Sequence, residues 1–348
     1  MEVAVGTEGS LVVPVREASQ VSDARRKALA LALALGLADE TKANLALVLS
    51  EAASNLVKHA REGVCLLRGL ARPDGASAER GIELLFLDRG PGMGNVAACM
   101  ADGFSTAGSM GTGFGAMRRL ATRFDVHSIP GLGTALVLEL WDPPPRAVAP
   151  AEERRRLVLG AVSAAKPGEW ACGDGWAFAG RNLQGVLLVV DGLGHGEAAA
   201  QVSQRAIARF LRARESDPAR VLAELDEELH GTRGAAAAVL TIDAQRGLVR
   251  HCGVGNTAGG LFHADGVQRL VSPGGTLGLG VRRAQVFEYR WTKATTLVLH
   301  TDGLSTRWEL ERYPGLARRH PSLLAGVLYR DFARGNDDAT VVVAREGA

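Results

Sequence analysis

The sequence is poor in the features that mark a membrane, secreted or nucleic-acid-binding protein. Its longest apolar run, "ALALALALGLA", is too short to span a bilayer and follows the charged "DARRK". The opening "MEVAVGTEGS" has no basic stretch leading into an apolar core, so no secretory signal is expected. The 4 cysteines, Cys65, Cys99, Cys172 and Cys252, lie far apart without a CxxC pair. That spacing disfavours a disulfide framework or a zinc site, and free thiols suit a cytoplasmic protein. Lys plus Arg number 40 against 38 Asp plus Glu, a balance that offers nothing to nucleic acid or an anionic membrane.

What is present is a globular composition, 47% hydrophobic and 22% charged, on 348 residues, enough for two domains with separate cores. The clearest break is "WDPPPRAVAPAEERRR", because three consecutive prolines continue neither a helix nor a central strand. It predicts a domain over residues 1–142, a Pro-rich linker over 143–152 and a second domain over 153–348. In the first, a strand (Ser10 to Val15), a helix (Ser22 to Leu35) and a helix from about Asn44 are expected. Strands (Gly63 to Leu70, Ile82 to Asp88), a helix (Ala116 to Thr122) and two closing strands follow. Helices followed by antiparallel strands predict an α+β layer. The second half is strand-rich, with helices expected at Ala198 to Arg212 and Ala219 to His230, a pattern for two packed sheets flanked by helices.

In "SEAASNLVKHA", Glu51, Asn55, Lys58 and His59 share one side of the helical wheel, opposite Leu45, Leu49, Ala52, Ala53, Leu56 and Ala60. Alone, a Glu/Asn pair reads as a solvated face. Two further features change that. "LLFLDRGPGMG" ends a strand at Asp88, with Gly90 and Gly92 letting the backbone turn closely past a ligand. "GSMGTGFGAMRRL" then sets Gly111, Gly113 and Gly115 before a helix whose free N–H groups suit phosphate. A glycine run alone is weak; the three features in order are not.

These motifs, over nearly all of residues 10 to 141, resemble the nucleotide-binding domain shared by gyrase-type ATPases, Hsp90 and histidine kinases, and within it the anti-sigma-factor serine kinases of partner-switching pathways. The resemblance implies a Bergerat-type ATP-binding α/β sandwich. Asn55 would coordinate Mg²⁺ and Glu51 would act as base or position the attacking hydroxyl. Asp88 would bind the adenine amino group beside Thr134, and Gly90, Gly92, Gly111, Gly113 and Gly115 would shape the pocket. His59 reads as a structural histidine.

The second half places Asp174 in "ACGDGWAF", Asp191 and Gly192 in "VLLVVDGLGHG", Asp302 in "TLVLHTDGLS", and Asp337 and Asp338 in "RGNDDATVVVA". One Asp-Gly is a turn signal. Repeated after nearly pure Val/Leu strands, it sets carboxylates at one sheet edge, where each costs desolvation unless it meets a cation. Carboxylates without His or Cys favour Mg²⁺ or Mn²⁺, two of which can clamp a phosphate. "GDGW", "VVDGLGHGEAA", "GVGNTAGGLF", "GGTLGLG", "LHTDGLS" and "NDDATVVVA" resemble the metal-dependent PP2C-type phosphatases, in particular their SpoIIE-like branch, over about residues 157 to 345.

That second resemblance implies a PP2C-like αββα sandwich holding two Mn²⁺ or Mg²⁺. Asp191 would bridge the metals, with Gly192 and Asp174 at the first and Asp302 and Asp337 at the second. His195 is a candidate general acid, and Lys166 the nearest basic group for phosphate. Joined, the two resemblances imply an ATP-dependent serine/threonine kinase fused to a phosphoserine/phosphothreonine phosphatase. The implied substrate is a STAS-type anti-sigma antagonist or stressosome scaffold, with a sigma factor as a further candidate partner. The alternative is a phosphatase whose first domain only binds ATP or a partner.

Overall fold

A computed structural model of the chain describes residues 2–6, 9–74, 77–99, 113–144, 155–213, 215–280 and 284–347. Most of the expected linker falls outside these residues. The chain forms two compact units, neither a single run of sequence. One gathers Leu11–Ala147 and Glu309–Arg330; the other gathers Met1–Ser10, Val148–Trp308 and Asp331–Ala348, which includes a first strand, β1 (Glu2–Gly6).

The first of these units is a five-stranded antiparallel sheet covered by helices. Its strands are β2 (Leu11–Pro14), β3 (Val64–Asp74), β4 (Ser77–Leu87), β5 (Arg123–Ile129) and β6 (Gly133–Asp142), in the order β2-β3-β4-β6-β5. Helices α1 (Ala18–Ala34) and α2 (Asp39–His59) are followed by the short α3 (Val96–Cys99) and α4 (Gly113–Leu120). Helix α1 buries Ala24, Ala28 and Ala32, one small residue per turn, and α2 buries Leu45, Val48, Leu49, Ala52, Ala53 and Leu56. Asp39 and Glu40 in the first turn of α2, and Lys58 and His59 in the last, match its dipole. All of the expected apolar stripe except Ala60, the half-buried C-cap, is buried, which leaves Glu51, Lys58 and His59 exposed and Asn55 half-buried.

The other unit is a two-sheet sandwich. Strands β8 (Asp174–Arg181), β9 (Gln184–Gly192), β10 (Ala235–Asp243), β11 (Leu248–Val254) and β14 (Phe287–Arg290) join β1 in a six-stranded sheet ordered β1-β8-β9-β10-β11-β14. Strands β7 (Leu157–Ala164), β12 (Ala258–His263), β13 (Gly266–Arg269), β15 (Thr296–His300) and β16 (Ala339–Glu346) form the second, ordered β13-β12-β15-β16-β7. Strand β9 shows why its "VLLVV" does not alternate. Leu187 and Val189 face the inter-sheet core with Trp176, Leu240, Leu299 and Val342. Leu188 and Val190 face outward against Ile207, Phe210, Leu222 and Leu225 of α5 (Glu197–Arg212) and α6 (Pro218–Glu228). Both faces are covered, so both are apolar.

Strands β1 and β12 to β14, the short α3 and one longer helix, α7 (Pro321–Phe332), were not expected from the sequence. Before α7, the basic segment after Ser305 forms two 3₁₀ turns, Leu310–Arg312 and Leu316–Arg318. Helix α7 belongs, up to Arg330, with the unit built on the β2–β6 sheet. A buried polar network secures this segment: Arg68 pairs with Glu83 at 2.8 Å, Ser322 Oγ donates to Glu83 Oε2 at 2.6 Å, and His320 Nε2 lies 3.4 Å from Glu139. Glu139 also accepts from Trp141 Nε1 at 2.8 Å. Burial lowers the pKa of His320 against the raising effect of Glu139 and Glu83, while Arg68 and Arg123 balance the two carboxylates. Among the described residues, no helix is long and apolar enough to cross a membrane.

Candidate functional sites

In the β2–β6 unit, the end of β4 and the β5–β6 hairpin build a tight turn around Asp88. Its N–H donates to the Thr134 carbonyl at 3.0 Å, and its Oδ1 accepts from Gly90 N–H at 2.6 Å. Burial raises the Asp88 pKa, opposed by the N–H groups of Gly90 and Thr134 and by the Arg330 charge. A Cβ on Gly90 would sit 2.8 Å from Asp88 Oδ1 and 2.9 Å from the His59 carbonyl. One on Gly92, at φ +69°, would overlap the Ile129 carbonyl, and one on Gly133, at φ +86°, that of Asp88. The glycines let three segments converge on one carboxylate, an arrangement that fits recognition of an adenine amino group.

Across the fold of the same unit, a Cβ on Gly113 would lie 3.2 Å from Glu51 Oε2 and 4.0 Å from Asn55 Nδ2. The start of α4 therefore lies beside the polar edge of α2, where phosphate and a hard cation would be expected. Gly115 is half-buried within α4, and Gly111 lies outside the described residues. Thr134 Oγ1 is 2.9 Å from Ser128 Oγ, which also accepts from Met93 N–H at 2.8 Å. Ser128, which was not singled out from the sequence, thus ties the hairpin to the glycine turn. Arg330, also missed, donates from Nη1 to the Asp88 carbonyl at 2.7 Å.

In the sandwich unit, strand register assembles the acidic group. Asp174 on β8 pairs directly with Asp191 on β9, and Ala236 of β10 lies opposite Asp191 on its other side. Asp302 follows β15, and Asp337 and Asp338 precede β16, its antiparallel neighbour. Their charges act on one another. Burial and then the Asp191 charge raise the Asp174 pKa well above its ordinary value, although Thr301 Oγ1 donates to it at 2.6 Å. The Asp191 pKa is raised to about 7, first by burial and then by Asp302, Asp337 and Asp338. Hard oxygen donors gathered by strand register, whose charges raise one another's pKa, fit divalent cations of the Mg²⁺/Mn²⁺ type.

The two adjacent aspartates are not equivalent. Asp338 is buried, and its oxygens accept from Lys166 N–H at 2.7 Å and Gly173 N–H at 2.8 Å. It fastens the loop before β8 while Asp337 stays half-exposed. Lys166 thus contributes its backbone here. Gly192 donates to the Gly173 carbonyl at 3.1 Å, and a Cβ there would overlap the Ala199 carbonyl of α5. Three contacts were not foreseen. Asn256 Nδ2 donates to Asp302 Oδ2 at 2.6 Å, Glu169 Oε1 holds His195 Nδ1 at 2.7 Å, and Arg233 Nη1 donates to the Leu193 carbonyl at 3.0 Å.

The Asp191 shift gives a pH dependence. Its folded pKa of about 7 exceeds the ordinary 3.8, so the folded, metal-free protein holds a proton that the unfolded chain releases. This stabilisation is complete below 3.8 and lost as pH rises through 7. Metal-free protein should therefore melt at a lower temperature at about pH 8 than at about pH 6, and Mn²⁺ should raise the melting temperature more at the higher pH. Scanning calorimetry with and without the ion checks both; equal increments would contradict the assignment.

The folds and sites define the class: a histidine-kinase-type nucleotide domain together with a PP2C-type metal-dependent phosphatase domain. Residues 13–156 match the model of the histidine kinase-like ATPase domain, and residues 184–346 that of stage II sporulation protein E, SpoIIE. The chain is 30% identical over 107 residues to the serine/threonine-protein kinase RsbT of Bacillus subtilis (strain 168), covering 31% of this chain and 77% of RsbT. It is 24% identical over 155 residues to the phosphoserine phosphatase RsbX of the same organism, covering 44% of this chain and 78% of RsbX.

Among solved structures, a chain from work on the bacterial stressosome matches with TM-score 0.51 and 29% identity, covering 55% of this chain and 100% of that one. RsbX in complex with magnesium matches with TM-score 0.50 and 20% identity, covering 55% of this chain and 96% of that one, a likeness of fold. The chain belongs to the partner-switching regulators, with an RsbT-like kinase-type ATPase domain and a SpoIIE-type PP2C phosphatase domain.

Proposed function

We propose that the part of the chain over residues 153–348 removes phosphate from phosphoserine or phosphothreonine on a STAS-domain protein, an anti-sigma antagonist or stressosome scaffold. The part over residues 1–142, joined by the linker 143–152, binds ATP with Mg²⁺ and phosphorylates serine or threonine. The observation that carries the reading is the meeting of Asp174, Asp191, Asp302 and Asp337 at one end of the sandwich, with Asp191 raised to about 7. Such a group is unfavourable in a folded protein unless it serves a cation.

In this reading Asp174, Asp191, the Gly192 carbonyl, Asp302 and Asp337 would together hold two divalent ions, with Asp191 central to the group. Bound Mn²⁺ or Mg²⁺ supplies charge neutralisation for phosphoryl oxygens and a water of lowered pKa. Asn256 orients Asp302, and Thr301 orients Asp174. His195, whose Nδ1 lies 2.7 Å from Glu169 Oε1, would donate a proton to the leaving serine oxygen. In the nucleotide domain Asp88 and Thr134 would hold the base, and Gly90, Gly92, Gly113 and Gly115 would let backbone approach the nucleotide. Asn55 offers its carbonyl to Mg²⁺, and Glu51, exposed on the same helix face, orients the attacking hydroxyl.

Phosphate release from a phosphoserine STAS-domain protein, dependent on Mn²⁺ and abolished by chelator, tests the phosphatase. Radiolabel transfer from ATP to the same protein, with Asp191→Asn in the background to prevent its removal, tests the kinase. Glu51→Ala should reduce transfer at least about 100-fold while sparing ATP binding. ATP binding without transfer by the Glu51-containing protein would establish the binding-only alternative.

A further inference from the structure

Helix α7 places Ser322, Gly326 and Arg330 four residues apart, on one stripe. The stripe runs along β4. Ser322 Oγ donates to Glu83 at 2.6 Å, and a Cβ on Gly326 would lie 2.6 Å from Leu85 Cδ2 and 3.0 Å from Leu87 Cδ2. Arg330 donates to the Asp88 carbonyl at 2.7 Å. Four helical residues rise about 6 Å and two strand residues about 6.7 Å, so stripe and strand stay in step over two turns. At the far end two arginines are exchanged: Arg330 holds the Asp88 carbonyl, and the Arg89 guanidinium donates to the Arg330 carbonyl, capping the helix.

We infer that Arg330 is a positioning residue of the nucleotide site, and that nucleotide at Asp88 and divalent cation at Asp337 change each other's affinity through α7. The inference rests on the reading that Asp88 takes adenine and Asp337 a cation. Three observations support it. Arg330 touches the backbone of the residue whose carboxylate would meet the base, and its charge lowers that carboxylate's pKa against the effect of burial. At Gly326 the helix backbone packs closely over the Leu85 and Leu87 methyl groups, so a shift of Asp88 along the strand direction is felt at the helix. Asp337 follows Arg330 in the chain after a short connection, Asp331 to Asn336, whose backbone is tied by Arg334 N–H to the Gly303 carbonyl at 2.9 Å, next to Asp302. Opposed activities on one substrate would cycle futilely, and such a link lets nucleotide occupancy select between them.

The test uses the full chain and reads binding alone. Adenosine, which carries the base without a chelating phosphate, is titrated calorimetrically with and without Mn²⁺, and Mn²⁺ with and without adenosine. Coupling in the parent should change each dissociation constant by the same factor, about fivefold or more. Arg330→Ala should weaken adenosine about tenfold and bring the coupling factor to one, and Arg330→Lys should restore much of the affinity. Ser322→Ala, remote from Asp88, should reduce the coupling factor while leaving adenosine affinity in the absence of Mn²⁺ unchanged.

A parent that binds no adenosine, even in excess, would remove the nucleotide reading and this inference with it. A parent that binds both ligands with no mutual effect, or an Arg330→Ala protein with parental affinity and coupling, would overturn the inference alone. Weaker binding in Arg330→Ala with coupling intact would reduce Arg330 to a structural contact and also overturn it.

Discussion

Asp191→Asn is expected to lower Mn²⁺-dependent hydrolysis of p-nitrophenyl phosphate by on the order of 10³ or more, the largest effect of any single change in the sandwich unit. Among the sandwich carboxylates, the Asp191 charge is felt by Asp174, and Asp191 in turn feels Asp302, Asp337 and Asp338. Replacing it with an amide keeps the shape and removes the charge that two cations would share. The same change should have the opposite sign on metal-free stability. With one repelling carboxylate gone, the metal-free variant should be more stable than the parent by roughly 1–4 kcal/mol at about pH 8, and Mn²⁺ should stabilise it less. Urea titrations with and without the ion read both quantities. A variant with parental turnover would show that Asp191 does not hold the metals. One less stable than the parent without metal would show that burial, rather than repulsion, dominates there.

The second large effect is expected at Gly133, with Gly131 as its internal control. Both lie in the β5–β6 hairpin region with positive φ, +86° and +79°, so alanine at either is strained by about 1–2 kcal/mol. At Gly131 nothing lies within 4 Å of the added Cβ, and the strain should be the whole cost. At Gly133 the Cβ would overlap the Asp88 carbonyl, so Gly133→Ala should cost about 2–5 kcal/mol in total. It should also abolish adenosine binding, because the displaced group belongs to the residue proposed to hold adenine. Chemical denaturation of the two variants side by side checks the difference; equal losses would mean that the turn relaxes freely.

The sequence carried most of the architecture because its strongest patterns are local. The α2 stripe and the wall-to-wall apolar "VLLVV" are each legible within a dozen residues, and α5 and α6 fall where expected. Helix α7 was missed for a physical reason. From Pro321 to Leu328 every residue is buried, so "PSLLAGVL" shows no amphipathic contrast, and it follows a basic, proline-bearing stretch that reads as loop. Strand β1 is short and pairs with β8, far along the chain, which no local pattern encodes.

The candidate sites divide the same way. Glycines that admit a close backbone approach stand out in sequence, as do Asp-Gly pairs at strand ends. Partners supplied by distant segments do not. Nothing near Asn256 points to Asp302, and nothing near Arg330 points to Asp88. Asp337 and Asp338 are indistinguishable as letters, and only the backbone N–H groups of Lys166 and Gly173 set them apart.

The docking of α7 along β4 also has a consequence during synthesis. Leu85 and Leu87 leave the ribosome long before the helix that covers them, with the whole sandwich sequence up to Trp308 made in between. At about 5–20 residues per second, the nascent β2–β6 sheet would hold an uncovered apolar face for roughly 10–50 s. The early part of the chain is therefore exposed to aggregation until its last helix arrives. A fragment ending at the proline-rich segment would remain in that state permanently.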